Sequence, residues 1–192
     1  MPQRQPCQLP RHLPRLWPSL WLISDARNDA VLGRTLLALP RGSGLIFRHY
    51  HLAPAQRRRR FDALRRLARR RGHAAVLSGD AATARRWGAH GAYGPPQRLA
   101  RGPAALRLVT AHSLREIGAA QRTRADAILL SPVFATRSHP GKKTLGLVRF
   151  RLLAARSRLP VIAMGGMNVR AARRSGAQGW AAIDGICDTS KV

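Results

Sequence analysis

The chain has 192 residues, which fits one domain with a substantial core. Thirty-five Lys and Arg against eight Asp and Glu give a formal net charge of +27, which raises the question of a nucleic-acid partner. The arginines are spread along almost the whole chain. The densest runs, Arg57–Arg60 and Arg69–Arg71, carry no interleaved aromatic platform for bases, so no specific nucleic-acid partner is expected. No apolar run approaches the roughly 20 residues of a membrane span. Cys7 and Cys187 lack metal-ligand spacing and a disulfide framework, which fits a reduced, cytoplasmic protein.

Residues 1–19 carry Pro2, Pro6, Pro10, Pro14 and Pro18 with several arginines and no apolar h-region. They do not read as a signal peptide. A mostly disordered extension, or a stretch ahead of a misplaced start, is expected there, with the folded domain over 20–192. Leu20–Ser24 reads as the first strand. Asn28–Leu39 has helical spacing, with Asn28 as N-cap and Pro40 as stop. Gly44–Phe47 is the second strand and runs into Arg48, His49, Tyr50 and His51. Pro54–Arg71 is a long basic helix whose Phe61, Leu64, Leu67 and Ala68 form one apolar stripe, ended by Gly72. His73–Ser78 is the third strand, followed by Gly79, Asp80 and a short helix over Ala81–Trp87. Gly91–Tyr93 is a short fourth strand. Leu106–Thr110 is the fifth, with its helix over Ser113–Gln121. Asp126–Leu130 is the sixth, and a helix near Leu147–Ser157 leads to a seventh ending at Met164. Gly179–Ile183 is the eighth. Strands alternate with helices throughout, so parallel pairing is expected. The fold predicted is an α/β (β/α)8 TIM barrel. It is compact against a typical length of about 250 residues, with a truncated or missing last helix.

Ligands of such barrels bind at the carboxyl ends of the strands. After the sixth strand the chain offers Thr136, Arg137, Ser138, His139, Lys142 and Lys143. That set suits an anion such as phosphate, and it also suits a solvated loop. After the seventh strand, Gly165 and Gly166 would let a ligand approach the backbone, and the next helix, with Asn168 as N-cap, supplies N–H groups. The other strand ends offer Asp25, Arg48, His49, Asp80, Thr110, His112 and Asp184. Asp80 reads equally as a magnesium ligand acting through water and substrate phosphates or as the N-cap of the helix at Ala81. His112 reads as an acid–base group or as a histidine that merely starts a helix.

Five stretches resemble one family in its own order. Leu20-Trp21-Leu22-Ile23-Ser24-Asp25 resembles the opening L-Y-L-I-[TS]-D of the thiamine phosphate synthase/TenI family. Thr110-Ala111-His112-Ser113-Leu114-Arg115-Glu116 resembles its S-x-H-S-x-E-E. Ser131-Pro132-Val133-Phe134-Ala135-Thr136-Arg137-Ser138 resembles its G-P-[VI]-F-x-T-x-[TS] loop. Pro160-Val161-Ile162-Ala163-Met164-Gly165-Gly166-Met167 resembles P-V-[IV]-A-[IM]-G-G-[IM], and Gly176–Ile183 resembles the closing G-A-D-G-[VI]-A-V-[VI]. The resemblance implies a thiamine-biosynthesis enzyme that joins a pyrimidine pyrophosphate to a thiazole phosphate and releases pyrophosphate. It implies Arg48 on the leaving pyrophosphate and Asp80 on Mg2+. It also implies that Thr136, Ser138, His139, Gly165, Gly166 and Ile183 hold the thiazole phosphate. His112 matches the histidine that thiazole tautomerases use for proton transfer. The partners implied are phosphorylated thiazole and pyrimidine small molecules, with a homodimer as a possible assembly.

The departures concern pyrophosphate. The pattern Arg-Glu-Lys after the second strand is Arg48-His49-Tyr50 here, and Asn-Asp after the third is Gly79-Asp80. His139 stands where a lysine is expected, and no second aspartate follows Tyr93. Asp184 replaces a serine after the eighth strand and would repel a close phosphate. Synthase activity is the first reading. A metal-independent thiazole tautomerase is the second. A non-catalytic paralogue that binds a phosphorylated metabolite is the third.

Overall fold

The computed structural model describes residues 18–137, 141 and 143–186. Its eight strands are β1 (Leu20–Ile23), β2 (Gly44–Phe47), β3 (Ala74–Ser78), β4 (Gly91–Gly94), β5 (Leu106–Ala111), β6 (Ala127–Leu130), β7 (Val161–Met164) and β8 (Gly179–Ala182). Each pairs in parallel with the next, and β8 pairs with β1, so the sheet closes into the predicted barrel. The helices between them are α1 (Asp29–Ala38), α2 (Pro54–Arg70), α3 (Ala81–Arg86), α4 (Pro96–Leu99), α5 (Leu114–Gln121), α6 (Gly146–Ala154) and α7 (Val169–Ser175). No helix follows β8 among the described residues, and none of those described is long and apolar enough to cross a membrane.

Strand alternation divides the core in two. Trp21, Ile23, Ile46, Val76, Leu108, Leu129 and Ile162 point into the barrel. Leu22, Leu45, Phe47, Leu77, Val109 and Ile128 point outward and pack under Leu36, Phe61, Leu64, Ile117 and Phe150 of the helices. Such a barrel is filled by side chains, so its interior is a core and only its rim can hold a ligand. Trp21 is the largest inward group. A Cβ on Gly44 would run into its ring, which is why the neighbouring strand begins with glycine there.

The structure changes some local expectations. Asn28 is buried and its side chain does not cap α1; its Oδ1 accepts from the Asp25 N–H at 2.9 Å, closing a capping box on the turn before it. Its amide donates to the carbonyls of Ile23 (2.9 Å) and Ile183 (3.1 Å), tying the ends of β1 and β8 together. Asp25 caps a single 3-10 turn, Ala26–Asn28, ahead of α1. Between β4 and β5, where no helix was expected, Pro95 is the N-cap and Pro96 the first residue of the one-turn helix α4; proline suits a first helical position because the N–H it lacks would be unpaired anyway. Pro18 and Ser19, placed by the sequence reading in the extension, are joined to the barrel. The Trp21 indole donates to the Pro18 carbonyl, and the Trp180 N–H donates to that of Ser19, both at 2.8 Å. Cys7, Cys187 and the rest of 1–17 lie outside the described residues.

Candidate active site

A cavity of about 770 Å3 opens at the carboxyl end of the barrel. Ile23, Tyr93, Met164 and Ile183 form an apolar wall around it, while Arg48, Thr110, His112, Thr136, Arg137, Lys143 and Asp184 bring polar atoms to the same space. That size and lining are typical of a small-molecule site.

One lip is built by the segments after β6 and β7. The Val133 N–H donates to the Met164 carbonyl at 2.9 Å, and the Phe134 N–H to that of Gly165 at 3.0 Å, so the two loops continue the sheet side by side. Gly165 and Gly166 have φ of 93° and 62°, a region that L side chains avoid. A Cβ on Gly165 would lie 2.8 Å from Pro132 Cα, and one on Gly166 would meet the Ala135 carbonyl oxygen. Thr136, Gly165, Gly166 and Ile183, four of the expected phosphate ligands, all line the cavity, the first three on this lip and Ile183 at the end of β8. Ser138, His139 and Lys142 lie outside the described residues.

His112 sits at the end of β5. Its backbone N–H donates to Glu116 Oε2 at 2.6 Å, and Ser113 caps α5 by accepting from the Glu116 N–H. Its ring Nδ1 lies 2.7 Å from the Ser131 carbonyl oxygen, which can only accept. The ring proton is therefore held on Nδ1. In the neutral ring Nε2 is then the acceptor.

The opposite lip comes from β1, β2 and β8. An ion ladder runs along it. Arg27 is 2.8 Å from Asp25 and 3.4 Å from Asp184, and Asp25 is 3.8 Å from Arg48. Burial alone would raise the Asp25 carboxyl, but the hydrogen bonds and charge of Arg27, with Arg48 behind them, hold it below its ordinary value. Asp184 thus meets Arg27, so its charge is answered. His49, expected at the rim, is only 1% exposed and points away from the cavity. Tyr50 stands at the mouth, hydrogen-bonded to Ser78, with the Arg57 guanidinium 5.5 Å from its ring centre.

Asp80 is the N-cap of α3. Its Oδ1 accepts from the Thr83 N–H at 2.7 Å and its Oδ2 from the Thr83 hydroxyl at 2.9 Å, and it does not line the cavity. The Thr83 amide is the main cause that lowers its pKa, with burial opposing. Among the described residues no group of three or more His, Cys, Asp or Glu is placed to hold a metal ion. These residues form no all-protein cage for a magnesium ion. An ion at this rim would take its oxygens from substrate phosphates and water.

The sequence reading missed Tyr93, Met164, Ile23 and Arg27. For the first three a signal existed in strand alternation: Ile23 follows inward Trp21 by two residues, Met164 follows inward Ile162 by two, and Tyr93 is next to outward Ala92. Arg27 had none, because its role depends on β8 closing against β1.

A closed eight-stranded parallel barrel with a cation-lined, glycine-turned cavity at its carboxyl rim defines a (β/α)8 protein with a rim site. A sequence model of the family described as thiamine monophosphate synthase matches residues 20–186, and the chain belongs to that family. An Aquifex aeolicus (strain VF5) protein with the provisional name thiamine-phosphate synthase 2 is 36% identical over 77 residues. That stretch is 38% of this chain and only 41% of the relative. The fold matches a thiamine phosphate pyrophosphorylase from Pyrococcus furiosus, with a TM-score of 0.73 at 22% identity over 86% of this chain and 85% of the other. It also matches one from Bacteroides thetaiotaomicron, with a TM-score of 0.58 at 14% identity over 87% and 83%.

Proposed function

We propose that this protein is a cytoplasmic transferase that condenses a pyrimidine pyrophosphate with a thiazole phosphate to give thiamine phosphate and pyrophosphate. The observation that carries the reading is a single cavity with Arg48 on one lip and Thr136, Gly165 and Gly166 on the other, Ile183 lining it at the end of β8. Two anionic substrates need two such ends, and the apolar wall between them suits two flat rings. In this reading the thiazole phosphate is anchored at the glycine turn, where backbone can approach phosphate closely. The pyrophosphate lies toward Arg48. The bond between the pyrimidine methylene carbon and the pyrophosphate oxygen breaks, and its electron pair leaves with the pyrophosphate. The thiazole nitrogen lone pair then forms the new C–N bond. Arg48 opposes the charge that grows on the leaving group, and Asp25 and Arg27 hold it in place.

The test is to mix both substrates with the protein and follow thiamine phosphate and pyrophosphate together by mass spectrometry. Arg48→Gln should cut turnover by about 10²-fold, the scale of losing one charge-stabilising donor. If the wild-type protein yields neither product, the synthase reading is wrong. A second reading, isomerisation of the thiazole phosphate, is favoured by His112, whose Nδ1 proton is fixed and whose Nε2 can then accept a substrate proton.

A further inference from the structure

His49 has a φ of 40°, and it is the one non-glycine residue with positive φ among those described. A left-handed histidine is held there only when its surroundings over-determine it. Its ring stacks on Phe47 at 4.7 Å and is buried. Nδ1 lies 2.8 Å from Ser24 Oγ, and Nε2 lies 2.7 Å from Asp29 Oδ1. Serine, histidine and aspartate in that order suggest a nucleophile, but Ser24 is wholly buried and its oxygen is taken: the Arg48 backbone N–H donates to it at 2.7 Å.

The proton positions follow from the two ends of this chain. Arg48 N–H can only donate, so Ser24 Oγ accepts from it, and the Asp29 carboxylate can only accept, so His49 Nε2 carries the proton that it donates to Asp29. In a neutral ring Nδ1 is then the acceptor, and the Ser24 hydroxyl donates to it. Arg60 closes the chain, donating to Asp29 Oδ1 and to the Asp29 carbonyl, both at 2.8 Å. The array needs a neutral ring, and burial lowers the His49 pKa, which favours that form despite the pull of Asp29.

We propose that His49, acting through Ser24, is a positioning residue that sets the Arg48 backbone so that its guanidinium faces the cavity. The relay joins β1, β2, α1 and α2 at the one point where the cation leaves the sheet. It is specific to this chain's Arg-His-Tyr order. Its catalytic consequence rests on the reading of Arg48 as the pyrophosphate group; its structural consequence does not.

His49→Asn is the informative variant, because asparagine accepts positive φ and the turn keeps its backbone while the relay is lost. Ser24→Ala is the second variant and removes the acceptor itself. Hydrogen exchange at the Arg48 amide should speed up by tenfold or more in both. Affinity for inorganic pyrophosphate, measured by calorimetry, should fall about tenfold in both, with thiazole phosphate affinity unchanged. In an Arg48→Gln background, His49→Asn should cause no further loss of pyrophosphate affinity. Unchanged exchange at the Arg48 amide in both variants overturns the proposal, as does an additive loss in the double variant. Faster exchange together with pyrophosphate affinity that ignores Arg48→Gln upholds the positioning and overturns the synthase reading instead.

Discussion

At the scale of single residues, commitment of polar atoms separates the chemical roles. His112 lines the cavity and has one nitrogen fixed by the Ser131 carbonyl. In an isomerase the other nitrogen would take and return the proton, so His112→Asn should lower thiazole isomerisation by about 10²-fold or more. In a synthase the same change should be mild, because the slow event is departure of pyrophosphate. Assaying the variant on both reactions decides, and full activity on both removes His112 from the chemistry. Asp80 is the opposite case, with both oxygens engaged by Thr83. Asp80→Ala should cost about 1 kcal/mol in urea unfolding, the value of an N-cap, and Asp80→Asn far less, since asparagine caps as well. Loss of turnover in Asp80→Asn at unchanged stability would show that capping is not its whole role. The sequence left both residues with two readings each. It could do no more, because a hydrogen-bond partner such as Ser131 is nineteen positions away from His112 in sequence.

At the scale of elements, the β6 and β7 loops were legible and the β1–β8 seam was not. Strand-to-loop transitions at Leu130 and Met164 are marked by a switch from apolar residues to Pro, Gly and hydroxyls, so their approximate positions can be read directly. Their contact follows from barrel order. Gly166→Ala should test it. The new methyl group would meet the Ala135 carbonyl at a φ of 62°, so a stability loss of about 1–3 kcal/mol is expected. Thiazole phosphate affinity should fall with it, and calorimetry that shows normal binding would argue against phosphate at this turn. The seam is set by backbone partners that carry no sequence signal. Asn28 looks like an ordinary N-cap until β8 is placed beside β1, and Pro18 and Ser19 look like the end of a proline-rich arm. A chain starting at Leu20 should therefore be less stable than one starting at Pro18 by about 1–3 kcal/mol. It removes the carbonyls that accept from the Trp21 indole and the Trp180 N–H. Equal melting of the two would mean that other acceptors or water serve these donors.

For the whole molecule, the charge imbalance makes pH the variable of interest. At +27 the folded chain repels itself, and acid adds charge to the seven histidines. Two of them are special. Burial is the main cause that lowers the pKa of His49 and of His73, whose Nε2 meets the Leu36 carbonyl oxygen at 2.9 Å. A histidine whose folded pKa lies below its unfolded value of about 6.5 binds fewer protons in the native state. Stability then rises with pH, is fully present above about 6.5, and is lost as pH falls through that value toward the lowered folded one. Asp25, Asp29 and Asp80, lowered as well, act in the same sense but only in the carboxylate range, while Asp126, raised by burial, acts against them there. The window from about pH 7 to pH 5 therefore belongs to the histidines. The urea midpoint should be level from pH 8 to 7 and fall steadily below. General self-repulsion predicts a fall too, but one that salt removes, because exposed charges beyond about a Debye length are screened while buried rings are not. With 0.5 M NaCl present, a slope should therefore survive, and His73→Gln should flatten part of it. A midpoint that becomes independent of pH in salt would assign the whole effect to surface charge and deny the buried histidines their part.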